Sequence, residues 1–90
     1  MIGRRLKMAV IFHSHALDRM EERGATKDEI LKTIEMGQIS MARFGRRLYS
    51  MSFPFRDYWR SQFYEQKHID AYAVDDEGDI IVITVVVKYY

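Results

Sequence analysis

The chain has 90 residues, enough for one hydrophobic core, and we expect residues 1–90 to form a single domain. Hydrophobic residues make up 48% and charged residues 30% of it, which favours a soluble globular protein over a disordered one. The absence of cysteine excludes disulfides and thiolate metal sites, and no apolar run approaches the roughly 20 residues of a membrane span. We therefore expect a cytoplasmic protein with no membrane partner.

The net charge of +1 hides an uneven distribution of charge along the chain. Residues 43–67 carry six basic and two acidic side chains, whereas residues 68–90 carry one basic and five acidic ones. A basic face of this kind is the minimum requirement for an anionic partner such as RNA. It is also common on proteins that bind no nucleic acid.

The first fifteen residues, "MIGRRLKMAVIFHSH", briefly imitate a signal peptide, because a basic head precedes the apolar "MAVIF". The apolar stretch is too short for a signal sequence, and no small-residue cleavage site follows it. We interpret this part of the chain as the first structured segment.

Two short helices are predicted next, joined closely enough to form a helical hairpin. Ser14 is the expected N-cap of a helix over residues 15–23, and Gly24 ends it. Its residues Leu17, Met20 and Ala16 are expected to face the core. The second helix begins at a capping box of Thr26 and Glu29, and Gly37 closes it. Its apolar stripe consists of Ile30, Leu31 and Ile34.

Strands are predicted after Gly45. "RRLYSMSF" alternates like a strand, with Leu48 and either Met51 or Phe53 on its inner face. "HIDAYAV", the turn "DDEGD" and "IIVITVVVKYY" form a β-hairpin, and the apolar run Ile80–Val87 indicates a central strand that is buried on both faces. Helices followed by strands predict an α+β protein with an antiparallel sheet.

Residues 54–67 remain ambiguous from the sequence. Phe55, Trp59 and Phe63 recur at helical spacing, yet Pro54 and the richness in aromatic residues also suit an irregular loop or an edge strand.

The first helix carries the strongest candidate site. His15, Arg19 and Arg23 are spaced i, i+4, i+8 and form one stripe, in which an imidazole and two guanidinium groups offer a match to a phosphodiester. Asp18 and Glu22 lie close enough to neutralise both arginines, so a solvated surface stripe is the competing interpretation.

The same helix carries a resemblance to a known family. The motif H-A-x-x-R-M-x-x-R-G is matched by His15, Ala16, Arg19, Met20, Arg23 and Gly24 within "FHSHALDRMEERGATKDEI", which is followed by "GQI". A second, weaker mark is Gly78 with "DIIVITVVV". These features resemble a prokaryotic domain-of-unknown-function family, the 4258 type, over residues 12–53 and 68–87. That family has been grouped with RelE-like and BrnT-like toxins, among metal-independent ribonucleases that include barnase-like domains.

The resemblance implies an N-terminal helical hairpin packed on a four-stranded antiparallel sheet, with a RelE- or barnase-like cleft on the sheet. It also implies a small metal-independent endoribonuclease. His15 would act as base or acid, Arg19 and Arg23 would hold the phosphate, and Arg47 and Tyr49 would join them from the sheet. Thr84 and Lys88 are weaker candidates.

Aromatic and basic side chains in and near the ambiguous segment are the candidates for RNA binding, because aromatic rings stack on unpaired bases. Tyr49 and Trp59 have a competing interpretation as core or rim aromatics, and His68, at a strand start, is read as structural. The nucleic-acid-binding candidates are Arg46, Arg56, Tyr58, Trp59 and Arg60, with Tyr64 beside them.

We expect no cofactor and no metal site. His13, His15 and His68 are the only histidines, and Ser14 begins a helix between the first two, so a zinc site is disfavoured. "DDEGD" lacks the length and terminal Glu of an EF-hand loop and is read as a turn.

Two hypotheses about function follow. The first is a toxin-like endoribonuclease that acts on RNA or at the ribosome and has a cognate antitoxin protein as partner. The second is a non-catalytic module on the same scaffold that binds protein or nucleic acid, with a homodimer as a plausible form. Convergence of His15, Arg19, Arg47 and Tyr49 in one cleft would favour the first, and a contiguous exposed aromatic patch within residues 53–64 would favour the second.

Overall fold

The computed structural model describes residues 9–90 of the chain. The beginning of the signal-like segment, residues 1–8, lies outside the described residues. Residues 9–90 form two α-helices, one short 3₁₀ turn and one β-sheet. The helices are α1 (Ser14–Arg23) and α2 (Lys27–Met36), and the 3₁₀ turn is Arg43–Gly45. The strands are β1 (Val10–Phe12), β2 (Gln38–Met41), β3 (Arg47–Trp59), β4 (Gln62–Asp76) and β5 (Asp79–Tyr89).

The α+β class is confirmed, but the prediction of four antiparallel strands is wrong. The sheet has five strands in the order β1-β5-β4-β3-β2, and it is mixed, because β1 runs parallel to β5 while all other neighbours are antiparallel. β1 is only three residues long, too short for alternation to reveal it. Its partner β5 is the last strand of the chain, so no local signal joins them.

The helical hairpin is confirmed, and only the start of α1 is shifted, by one residue. The N-cap of α1 is His13 rather than Ser14: the Nδ1 atom of His13 accepts a hydrogen bond from the His15 amide at 3.1 Å. Gly24 ends α1 in the left-handed conformation with φ 79°. The predicted capping box of Thr26 and Glu29 is present at the start of α2.

Both helices pack on one face of the sheet, and the core lies between them. Ala16 and Met20 of α1, and Ile30 and Ile34 of α2, are buried against the sheet, whereas Leu17 is exposed, contrary to the prediction. The strand residues of this core are Tyr49, Ile69, Ala71, Ala73, Ile80, Val82 and Val85.

The inner face of β3 begins one residue later than predicted. Tyr49 is only 2% exposed and pairs with Ala71, so Leu48 points to the opposite face, where it pairs with Tyr72. The inward position of Met51 and Phe53 agrees with the prediction, because both share the alternation of Tyr49. The alternation pattern did not place Tyr49 on the inner face because tyrosine carries a polar hydroxyl.

The ambiguous segment 54–67 extends the hairpin of β3 and β4. Its turn is Arg60–Ser61, and both residues have positive φ, 52° and 71°, as a tight two-residue hairpin turn requires. A register shift between Pro54 and Asp57, with φ 49° at Arg56, is a β-bulge. Pro54 lies beyond the end of β2, where β3 is an edge strand among the described residues and a proline is tolerated.

β5 lies between β1 and β4 as predicted, but it is not buried on both faces. Ile80, Val82 and Val85 are buried, while the residues between them are partly exposed. The register shifts so that Tyr72 pairs with Thr84 and Ala73 with Val82. This bulge leaves Ile83 unpaired and lets Val82 and Val85 face the same core despite their odd spacing.

Aromatic residues close the end of α1. Trp59 stacks on Tyr89 with 5.1 Å between ring centroids, and Phe55 and Tyr64 also contact the Tyr89 ring. The Tyr89 hydroxyl donates a hydrogen bond to the carbonyl of Arg23 at 2.6 Å. Trp59 is therefore part of the packing on the helical side, which agrees with its interpretation as a rim aromatic.

The partial burial of Tyr89 predicts how the stability of the fold changes at alkaline pH. Burial, followed by the negative charge of Glu29, raises the pKa of Tyr89 above its ordinary value of 10.0. The folded chain thus keeps this proton longer than the unfolded chain, so its contribution to stability is complete below pH 10 and is lost as pH rises through the folded-state pKa. We expect Tyr89→Phe to cost about 1 kcal/mol at neutral pH through loss of the hydrogen bond.

The measurement is urea unfolding of the wild type and Tyr89→Phe at several pH values between neutrality and the alkaline limit. The gap in unfolding free energy should narrow as pH rises above 10, because only the wild type loses the contribution of a protonated Tyr89. A gap that stays constant with pH would contradict this role of Tyr89.

Candidate functional site

The helix stripe predicted from the sequence is present on α1, but its members have different environments. His15 is exposed, and its ring stacks on His13 with 5.5 Å between centroids. Arg19 forms an ion pair with Glu22 at 3.0 Å, and Arg23 donates a hydrogen bond to the carbonyl of Val85 at 2.6 Å. Arg23 thereby fastens the helix to β5, and of the three only His15 makes no polar side-chain contact within residues 9–90.

Arg47 and Tyr49, the predicted sheet members of the site, lie together on β3. Arg47 forms an ion pair with Asp75 at 3.1 Å, and the pKa of Arg47 is raised by its hydrogen bond to Tyr49 and by the Asp75 carboxylate. Tyr49 belongs to the core. No hydrogen bond or ion pair between described residues connects these two side chains to the stripe on α1.

The predicted RNA-binding cations are mostly engaged in contacts within the chain. Arg56 lies 3.6 Å from the Glu65 carboxylate. Arg60 donates a hydrogen bond to the Glu22 carbonyl at 2.9 Å and covers the Trp59 ring. Arg46 lies 6.0 Å from the centre of the Phe44 ring and lines a shallow cavity with Tyr72. Among these three arginines, Arg56 alone has a carboxylate partner within the described residues, whereas Arg60 and Arg46 keep their charge beside a carbonyl or a ring.

A polar cluster occupies the sheet face that turns away from the helices, which we call the open face. Ser52 of β3, His68 of β4 and Lys88 of β5 are direct neighbours in register, and Ser50 pairs with Asp70 in the next row. Side chains alternate between faces along a strand, so these five share the face opposite the core. We call Ser50, Ser52, His68, Asp70 and Lys88 the open-face cluster.

Hydrogen bonds connect four members of the open-face cluster in a chain. The Ser52 hydroxyl lies 2.8 Å from Nδ1 of His68, and Nε2 of His68 lies 3.0 Å from the Asp70 carboxylate. Ser50 donates to the same carboxylate oxygen at 2.6 Å. An ionised carboxylate can only accept, so in the neutral ring Nε2 carries the hydrogen and Nδ1 accepts from Ser52.

This arrangement fixes the orientation of the His68 ring. The Asp70 side chain is 16% exposed and that of His68 is 27% exposed, so the carboxylate is the less exposed group, and it fixes the ring through Nε2. Nδ1 reaches outward to Ser52, which is exposed. A carboxylate that orients an imidazole in this way is typical of histidines that transfer protons.

Lys88 adds a free positive charge beside the histidine. It is exposed, and no hydrogen bond or ion pair with another residue of the described range 9–90 engages its ammonium group. On the other side, Ser52 borders a cavity of about 220 Å³. The lining residues of that cavity are Ser52, Phe53, Pro54, Arg56, Glu65 and Gln66.

The sequence did not reveal this cluster because it is assembled by strand register. Its residues come from "YSMSF", "HIDA" and "VKY", three segments whose pairing depends on two bulges. A usable signal was the alternation of polar and apolar residues: Ser50 and Ser52 flank Met51, and His68 and Asp70 flank Ile69.

Comparison with protein families decides the relationship of the chain. The family model described as "Domain of unknown function (DUF4258)" matches residues 12–87. The chain belongs to this family. No curated protein and no solved structure matches it. The match spans both helices and all but the last residues of β5, so it includes the stripe on α1 and four of the five residues of the open-face cluster; Lys88 follows it directly.

Two further searches of residues 9–90 complete the description. No group of three or more His, Asp or Glu side chains in this range is arranged to hold a metal ion. Neither of the helices in this range has the length and apolar character that crossing a membrane demands.

Proposed function

We propose that this member of the DUF4258 family cleaves RNA without a metal ion, at the open-face cluster. The relation to RelE-like and BrnT-like toxins that the sequence resemblance implies is part of this proposal. The observation that carries it is the hydrogen-bonded order Ser52–His68–Asp70 beside the unpaired Lys88. A general base, a group that orients it and a cation lie together on an uncovered sheet face of the described structure.

The proposed reaction uses the ribose 2′-OH as nucleophile. The 2′-OH replaces the Ser52 hydroxyl at Nδ1 of His68 and gives its proton to that nitrogen, while the 2′-oxygen attacks phosphorus. The bond from phosphorus to the 5′-oxygen breaks, the 5′-oxygen takes a proton from water, and a 2′,3′-cyclic phosphate remains. The hydroxide formed from that water removes the proton from Nδ1 of His68, which restores the neutral ring. Asp70 holds the ring and stabilises the imidazolium, and Lys88 stabilises the charge that develops on the phosphate oxygens.

Acyl transfer from Ser52 is a less suitable chemistry for the same three residues. A serine nucleophile requires backbone or side-chain donors that bind the oxyanion of the tetrahedral intermediate. Ser52 lies within a regular strand, paired with His68 across the ladder, and not at a helix N-terminus. RNA supplies its own nucleophile and needs no such acylation step.

The activity test uses purified protein and an end-labelled single-stranded RNA in buffer with excess EDTA. We expect fragments that end in a 2′,3′-cyclic phosphate, and a loss of about 100-fold or more in rate for His68→Ala. Asp70→Asn should lower the rate and change its pH profile, because it removes the charge that stabilises the imidazolium. His15→Ala is the matched control, since it removes the other exposed candidate base.

Each alternative result has a clear meaning. Full activity in His68→Ala together with loss in His15→Ala would move the site to the helix stripe, where the sequence places it. Cleavage of a matched oligonucleotide made entirely of 2′-deoxynucleotides would contradict the proposed chemistry. Intact RNA in this assay together with intact transcripts in expressing cells would contradict it as well. Circular dichroism and thermal melting of each variant separate lost activity from lost structure.

A non-catalytic binding module is the second candidate function, and exposed apolar side chains favour it. All four residues of edge strand β2 are exposed, including Ile39 and Met41, and Phe44 is 86% exposed. Such a surface suits an antitoxin-like protein or a second copy of the chain. Sedimentation analysis tests the latter: a wild-type dimer that becomes a monomer in Met41→Glu would support it, and a monomeric wild type would exclude it.

A further inference from the structure

The tip of the β3–β4 hairpin carries two exposed aromatic residues whose rings contact each other and no other aromatic ring of the described residues. Tyr58 is 67% exposed and Phe63 46% exposed, and their rings meet edge to face at 5.5 Å. The adjacent Trp59 points to the helical side, where it stacks on Tyr89. Since neighbouring residues of a strand point to opposite faces, Tyr58 and Phe63 lie on the same side as the open face.

The aromatic pair and the open-face cluster are connected along the same two strands. The cavity of about 220 Å³ lies between them and is bordered by Ser52 at one end and by Arg56 farther along β3. His68 and Phe63 lie five residues apart on β4, which corresponds to about 17 Å at the rise of a strand. A chain of a few nucleotides spans this distance.

The charges along this path favour stacking over electrostatic attraction as the source of affinity. Arg56 is paired with Glu65, and Arg60 keeps its charge but lies on the helical side, where it covers Trp59 and donates to the Glu22 carbonyl. Lys88 is then the principal unpaired cation of the open-face cluster. A duplex hides the faces of its bases inside the helix, whereas an unpaired strand offers them to aromatic side chains.

We infer that the ligand of this surface is single-stranded RNA, with an unpaired base stacked on Tyr58 and Phe63 and the scissile phosphate at His68 and Lys88. The intervening nucleotides follow the strand surface between them, past the cavity that Ser52 and Arg56 border. This inference rests on the proposed function for its ligand class, but it concerns binding and can be tested without cleavage.

The test is fluorescence anisotropy with a labelled, uncleavable 2′-O-methyl oligonucleotide of mixed sequence. Tyr58→Ala and Phe63→Ala should each weaken binding about tenfold, as expected for loss of one stacked base. Phe44→Ala is the matched control, because this exposed phenylalanine lies at the other end of the sheet and should leave binding unchanged. Melting temperatures should stay close to the wild type, since all three rings are exposed.

Salt dependence gives a second, independent readout. Contact with one or two phosphates predicts a slope of about −0.7 to −1.4 in a plot of log K against log salt. The same oligonucleotide annealed to its complement should bind much more weakly. Equal binding of duplex and single strand, or wild-type affinity in both aromatic variants, would overturn the inference.

The outcomes for binding and cleavage are separable. If the wild type cleaves RNA and the aromatic variants bind and cleave like it, the inference fails while the proposed function stands. If the single strand binds through Tyr58 and Phe63 and is never cleaved, the inference stands and the proposed function fails. Absence of any binding to single-stranded RNA overturns both, and a protein partner at the hairpin tip then becomes the better account.

Discussion

Lys67→Met is expected to destabilise the fold by about 3 kcal/mol, a large share of the stability of a domain this small. Lys67 projects from β4 into the junction between α1 and α2, and its side chain is only 6% exposed. Its ammonium group donates to both carboxylate oxygens of Glu29, at 2.9 and 3.1 Å, and to the Gly24 carbonyl. The substitution leaves a partly buried carboxylate and a carbonyl without their donor.

The test is chemical unfolding of Lys67→Met beside two comparison variants. Lys32→Met removes an exposed lysine of α2 and should change stability by less than about 0.5 kcal/mol. Lys67→Met combined with Glu29→Gln removes both charges, while the glutamine can still accept the Thr26 amide of the capping box. The double variant should recover most of the lost stability. Equal losses in Lys67→Met and Lys32→Met would contradict the stabilising role of the Lys67 contacts.

Gly24→Ala is expected to cost about 3 kcal/mol, through two separate effects. Gly24 has φ 79°, a conformation that disfavours any residue with a Cβ atom. A Cβ there would also lie 2.7 Å from both the Trp59 ring and the Tyr89 hydroxyl. The aromatic cluster would have to move away from the end of α1.

Unfolding measurements on Gly24→Ala and Gly78→Ala separate the cost of the backbone conformation from the cost of the steric clash. Gly78 has φ 90° in the β4–β5 turn, but a Cβ atom there would meet nothing within 4 Å. We expect a loss of about 1 kcal/mol from the backbone conformation alone. Equal losses at the two positions would mean that Trp59 and Tyr89 yield easily, and the packing account of this helix end would be wrong.

The elements that the sequence predicts well have local signals. The capping box of Thr26 and Glu29 and the left-handed Gly24 lie within a few residues of the helix ends that they determine. The β4–β5 hairpin was recognisable for the same reason, because its turn contains Gly78 with positive φ. Interactions between near neighbours can be read without knowledge of the tertiary structure.

The extended β3–β4 hairpin lacked such a signal. Its turn residues, Arg60 and Ser61, both adopt positive φ, yet neither is the glycine or asparagine that usually reveals this turn. The stacking contact between Trp59 and Tyr89 joins residues that are thirty positions apart in the sequence, and it supports the turn from the helical side. Tertiary packing thus overrides the local preference of this segment.

The open-face cluster could not be predicted from the sequence for a related reason. The sequence shows His68 as a lone histidine at a strand start without a neighbouring partner, and this pattern predicts a structural role. Its partners Ser52 and Lys88 come from two other strands, and their register depends on the bulges in β3 and β5. The stripe of His15, Arg19 and Arg23 was visible because a helix brings i, i+4 neighbours together.

The most direct test of the central claim is induced expression in bacteria of the wild type, His68→Ala and His15→Ala, with growth and transcript integrity followed together. An assay in cells includes the ribosome and so detects cleavage that depends on it. We predict growth arrest with fragmented RNA for the wild type and for His15→Ala, and normal growth with intact RNA for His68→Ala at equal protein levels. Arrest and RNA cleavage that persist in His68→Ala would contradict the assignment of the site to the open face.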